Sequence, residues 1–149
     1  MKAQKIAGSG FIIRADGRFL IVKRAKNDDF LPGSWEFPGG KIEFGEDVID
    51  GTLREFREET GLNVKVEYPI NVLTYIIEEP VKIEHHYVEI VFLCLMKNPK
   101  QAVTLSKEHY AYQWVTFEEV PNKDVSDLTR ESLLKLQLFP AIIKREKNE

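Results

Sequence analysis

Cysteine is nearly missing from this chain: Cys94 is the only one in 149 residues, so no internal disulfide can form. A reducing, cytoplasmic setting is the expectation that follows. Cys94 lies in the apolar run VFLCL, where it reads as a small buried core residue rather than a reactive thiol. No segment is apolar for long enough to span a bilayer, and the opening MKAQKIAGSG lacks the apolar core of a secretory signal. No excess of one charge is present either. The net charge of −3 offers none of the basic surface that long nucleic acids or anionic membranes favour. There is no repeat, no low-complexity stretch and no Pro/Gly/Ser-rich linker, so residues 1–149 read as one domain.

What is present suits a globular enzyme or binding module. Hydrophobic residues make up 43% and charged residues 30%. A chain of this size buries ~70% of its unfolded surface. Lys5 to Arg14 and Phe19 to Lys23 read as two strands joined at Asp16-Gly17, a strong hairpin signal. Asn27 to Ser34 reads as loop, with a turn at Pro32-Gly33, and Trp35 to Phe37 as a short strand stopped by Pro38-Gly39-Gly40. A helix is predicted over Asp47 to Thr60, with Asp47 as N-cap, Gly61 as terminator and Ile49, Leu53, Phe56 and Thr60 as its inward stripe. Strands are predicted at Val64 to Ile77, broken near Pro69, at Tyr87 to Met96 and at Tyr110 to Thr116. A short helix over Phe117 to Val120 follows. Ser126 to Leu138 reads as helix, although Leu134, Leu136 and Leu138 alternate as a strand would; Pro140 breaks it and KREKNE forms a solvated tail. The fold class is α/β, with helices covering a mixed β-sheet.

The predicted helix at 47–60 carries Glu55, Glu58 and Glu59 on one side. Like charges three and four residues apart repel, so the set calls for a neutralising partner. A hard divalent cation such as magnesium meets that need, since it takes oxygen ligands from a few carboxylates and substrate phosphates. The alternative is an ordinary solvated acidic face.

The surrounding residues decide between these. Residues 40–62 read GKIEFGEDVIDGTLREFREETGL. This stretch resembles the Nudix box, G-x5-E-x7-R-E-U-x-E-E-x-G-U, where U is bulky and apolar. Gly40, Glu46, Arg54, Glu55, Glu58, Glu59 and Gly61 fill the fixed positions, and Phe56 and Leu62 the apolar ones. Seven such matches arise by chance about once in ~10⁸ windows. The resemblance implies a Nudix fold, a mixed sheet sandwiched between helices, and hydrolysis of a diphosphate linkage with Mg²⁺, or Mn²⁺ as substitute. It implies Glu55, Glu58, Glu59 and the carbonyl of Gly39 as metal ligands. Arg54 would orient Glu58 or Glu59, and Glu46 would hold the loop to the helix. The general base is either Glu58 or Glu108, which stands six residues before Trp114 as in MutT-like members. Gly51 falls where the family often has alanine; a tolerated weak position is the simpler explanation.

The segment SWEFPGGKIEFGE is similar to MutT-like pyrophosphohydrolases, in which an arginine at the position of Arg24 lies near substrate. Lys41 can meet phosphates as a point charge. The expected partner is therefore a small nucleotide: a nucleoside triphosphate, oxidised or not, cut to monophosphate and pyrophosphate. ADP-ribose, a nucleotide sugar or a dinucleoside polyphosphate are alternatives, as is a catalytically silent binding module. Monomer and homodimer both stay open, and the apolar segment 133–139 packs by default on its own core. His85-His86 lacks the companions of a metal site and reads as structural or solvated. Tyr110 and Tyr112 read as strand residues.

Overall fold

The computed structural model describes residues 1–27, 32–78, 83–120 and 123–136. Its elements are β1 (Lys2–Ile13), β2 (Phe19–Arg24), β3 (Trp35–Glu36), β4 (Gly39–Lys41), α1 (Val48–Thr60), β5 (Val64–Glu78), β6 (Glu84–Met96), β7 (His109–Val115) and α2 (Asp127–Leu136). The strands form one mixed sheet in the order β3-β2-β1-β6-β5, with β4 also pairing β1 and β7 also pairing β2. β1 and β6 run parallel from Lys2↔Glu84 to Ile13↔Leu95. The other pairings are antiparallel. On its second side β1 divides: residues Ala7 to Ser9 pair β4, while Ile13 pairs β2.

The period of two along these strands explains why both faces are covered. Phe11, Ile13, Phe19, Ile21, Val91 and Leu93 join one cluster, which Leu133 and Leu136 of α2 close. Their neighbours Ile12, Leu20, Val22, Phe92 and Cys94 join a second cluster around Phe56 of α1. Cys94 is buried, and burial raises its thiol pKa, in line with a packing role.

Both helices are set by capping. Asp47 accepts from the Asp50 N–H at 3.0 Å, and Gly61, at φ 73°, donates its N–H to the Arg57 carbonyl. In α2, Ser126 accepts from the Thr129 N–H at 3.1 Å. Leu134 is exposed while Leu136 is buried, which resolves the helix-or-strand ambiguity in favour of helix. Leu138, Phe139, Pro140 and the KREKNE tail lie outside the described residues. So do residues 28–31 of the expected loop; Pro32-Gly33 does turn.

Four expectations need correction. Ile49 is 43% exposed, and the buried face of α1 is Gly51, Thr52, Phe56, Glu59 and Thr60. The cause is close approach to β1: a Cβ on Gly8 would lie 1.8 Å from Thr52 Oγ1. Gly39-Gly40 does not stop regular structure but begins β4. Pro69 does not break β5; the register shifts on either side of it absorb the ring as bulges. Of the helix expected over Phe117 to Val120, residues 117–119 form a turn, closed by the Glu119 N–H to the Thr116 carbonyl, and Val120 alone among the described residues is 3₁₀-helical. Among the described residues no helix is long and apolar enough to cross a membrane.

Candidate active site

A cleft of about 1000 Å³ opens on the α2 face of the sheet. Its lining includes Arg24, Gly39, Gly40, Lys41, Glu55, Glu59 and Glu108, so seven of the residues singled out in the sequence meet there. α1 packs on the opposite face, yet its acids reach the cleft because β4 is glycine. A Cβ on Gly40 would fall 2.4 Å from the Glu55 carboxylate. One on Gly39 would fall 2.3 Å from the Gly8 carbonyl oxygen.

Arg54 organises the acids. Its guanidinium binds both oxygens of Glu46, at 2.8 and 3.0 Å, and reaches Glu55 Oε1 at 3.0 Å and Glu58 Oε2 at 3.1 Å. Arg54 also donates to the Lys41 carbonyl at 3.0 Å, tying helix to loop. Glu46 closes that loop by accepting the Glu43 N–H at 3.0 Å. Arg54 beside it lowers the Glu46 pKa to about 2 and has its own pKa raised in return. Of the two acids expected to bond Arg54, Glu58 does and Glu59 does not. Gly51 is more than a tolerated weak position: a Cβ there would lie 2.5 Å from Glu46 Oε1 and 2.8 Å from Ile42 Cδ1. Glycine is what lets Glu46 reach Arg54 across the helix.

The three box glutamates differ sharply. Glu59 is buried and accepts the Gly39 N–H at 3.0 Å. Burial raises its pKa well above the ordinary value, and the charges of Glu36, Glu55 and Glu108 push the same way. Burial also raises Glu55, against the pull of Arg54. Glu58 has a side chain 59% exposed and is not among the cleft-lining residues. Among the described residues no three acidic, histidine or cysteine side chains converge as they stand. The donor chemistry nevertheless fits a hard divalent cation. Glu59 and Glu55 are desolvated oxygen donors, raised further by neighbouring carboxylates (Glu36, Glu55 and Glu108 at Glu59; Glu58 and Glu108 at Glu55), a repulsion that a cation held there would relieve.

Other lining residues were not singled out in the sequence. Glu36 on β3 accepts Arg24 Nη1 at 3.0 and 3.1 Å and meets His109 Nε2 at 2.8 Å. Arg24 is thus paired to the wall of the cleft. His109, with a side chain 2% exposed, fixes the strand start beside Glu108, whose carbonyl accepts the Ala25 N–H. Glu89 on β6 also lines the cleft. The available signal was an acid inside the otherwise apolar VEIVFLCLM. Away from the cleft, His86 meets Gln4 and His85 stacks on Tyr87, in keeping with structural roles. Tyr110 and Tyr112 are exposed on one side of β7.

The NUDIX domain family model matches residues 4–136. The chain belongs to the Nudix family. Within that family, nucleoside triphosphatase NudI of Escherichia coli is 28% identical over 128 residues, covering 82% of this chain and 89% of that protein. The crystal structure of a MutT protein from Methanosarcina mazei Go1 superposes at a TM-score of 0.75 with 26% identity, over 99% of this chain and 98% of that one. A C. elegans Ap4A hydrolase shares the fold at a TM-score of 0.71 and 23% identity, over 92% and 98% of the chains. This Nudix protein is accordingly a hydrolase of the pyrophosphohydrolase class, and its family generally uses divalent metal ions.

Proposed function

We propose that this Nudix enzyme hydrolyses a nucleoside triphosphate, oxidised bases included, to the monophosphate and pyrophosphate, in the cytoplasm and with Mg²⁺ (Mn²⁺ as substitute). The carrying observation is the cleft itself: buried Glu59 and half-buried Glu55 at one wall, beside Lys41, in a volume suited to one nucleotide. Glu55, Glu58, Glu59 and the Gly39 carbonyl would hold the metal. When bound, it would neutralise the phosphate charge and make an attacking water more acidic.

The chain's own groups do the rest. Lys41 holds phosphate oxygens, and Arg24, kept in place by Glu36, borders the bound nucleotide. Arg54 positions Glu55 and Glu58 without touching substrate. Water attacks phosphorus, the bridging P–O bond breaks, and a carboxylate takes the water's proton. Glu108 lines the cleft and its charge is felt at both Glu55 and Glu59, which suits it to that task; Glu58 is the other candidate.

The test is a metal-dependent release screen. Pyrophosphate set free from a triphosphate with Mg²⁺, and not with chelator, is the expected result. Release only from ADP-ribose, nucleotide sugars or dinucleoside polyphosphates, after phosphatase coupling, would overturn the substrate. No release from any of them would leave a nucleotide-binding module.

A further inference from the structure

The cleft has a second polar centre, built on neighbouring strands. Ser9 of β1 and Glu89 of β6 line the cleft, and Tyr75 of β5, outside the lining, supports Glu89 from the same face of the sheet. Ser9 Oγ donates to Glu89 Oε2 at 2.9 Å, and the Tyr75 hydroxyl donates to Oε1 at 2.8 Å. Tyr87 stacks on Tyr75 with centroids 5.3 Å apart and planes 13° from parallel. Leu73, Ile77 and Leu128 give the same stretch of lining apolar walls. β6 lies two strand spacings from β4, ~10 Å. That is about the reach of a sugar between a phosphate held at β4 and a base.

The chemistry of this centre excludes a second phosphate subsite. A carboxylate repels phosphate oxygens, and here both hydroxyls are already turned towards it. Each Glu89 oxygen keeps a second acceptor direction, and the Ser9 oxygen can accept as well. The carboxyl is part-buried, and desolvation raises its pKa while the two hydroxyls oppose that shift. A flat uncharged heterocycle with N–H donors answers every part: donors for Glu89, an aromatic edge and apolar walls. A base without those donors would strand a desolvated acceptor, the arrangement that discriminates most strongly between ligands.

We propose that Ser9, Tyr75 and Glu89 form the subsite that selects the base of the bound nucleotide, with Glu89 accepting from an N–H on the base edge. This rests on reading the cleft as a nucleotide site. Nothing in the proposed bond cleavage uses these residues, so the test needs no turnover. AMP, GMP, CMP and UMP are titrated calorimetrically into the full chain with Mg²⁺, for wild type, Glu89→Gln and Tyr75→Phe.

Wild type should bind one base at least ~10-fold tighter than another, and Glu89→Gln, which trades an acceptor for a donor, should change that ratio by ~10-fold or more. Tyr75→Phe keeps the ring stack, removes one hydroxyl and should shift the ratio less; it carries the test alone if Glu89→Gln fails to fold. Equal weakening for all four bases, an unchanged ratio in the folded variants, or no mononucleotide binding by wild type would overturn the proposal. Base-selective binding in a protein that cleaves nothing would keep the subsite and sink the proposed reaction. Turnover with four equal affinities would do the reverse.

Discussion

The two faces of the sheet use the same strands to opposite ends. On the α1 face, Ile12, Leu20, Val22, Phe92 and Cys94 pack without interruption under Phe56 and Leu62. On the α2 face, β1 starts the same way with Phe11 and Ile13, and β6 with Val91 and Leu93. Two and four residues nearer the N-terminal end of each strand, Ser9 and Ala7 on β1 and Glu89 and Tyr87 on β6 replace them and the core opens into the cleft. Stability and chemistry are therefore divided along each strand, not between elements. The switch occurs where apolar side chains become small or polar.

Variants on the two faces should separate these roles. The largest effect belongs to Glu58→Gln, which should lower kcat by ~10²–10⁴-fold as a lost acid–base or ligand group does. Its melting temperature should stay near wild type, because the side chain is mostly exposed. A large fall in melting temperature would place this acid in the fold rather than in the chemistry. Phe56→Ala should cost ~3–5 kcal/mol in denaturant unfolding and leave the KM of the folded fraction unchanged. Asp47→Ala removes the α1 cap and should cost ~1 kcal/mol in the same measurement.

The smallest effect is a slope. Arg54 depresses the Glu46 pKa from 4.5 to about 2. A depressed carboxylate contributes stability above its ordinary value and loses it as pH falls towards its folded value. Acid unfolding of wild type should therefore steepen between about pH 4.5 and 2, and Glu46→Gln should lack that component. Equal slopes would show that the Glu46–Arg54 pair adds nothing beyond the fold.

How much of this was legible in the sequence depends on whether a feature is local. The α1 cap at Asp47, the terminator Gly61 and the hairpin at Asp16-Gly17 each depend on a few adjacent residues, and each is present. The box positions were legible for the same reason, and the Nudix family and α/β class follow from them. Long-range terms were not. Ile49 is turned outward because Gly8 on β1 lets Thr52 pack inward. Glu36 and His109 are 73 residues apart, and Ser9 and Glu89 are 80 apart. No spacing rule joins such pairs. Only Glu89 left a trace, as a charge in an apolar strand.

The parallel ladder between β1 and β6 bears on how the protein is made. Gln4 and His86, neighbours in that ladder, are separated by 82 residues. During synthesis β1 must wait for most of the domain before it gains its longest partner. Closing so wide a loop early is entropically unfavourable, so topologies of this kind fold in ms–s rather than μs. Until β6 arrives, the apolar stretch Phe11 to Ile13 is unpaired on the side that β6 will cover. An unpaired apolar strand is a template for aggregation, and slowed synthesis before residue 84 would prolong that exposure.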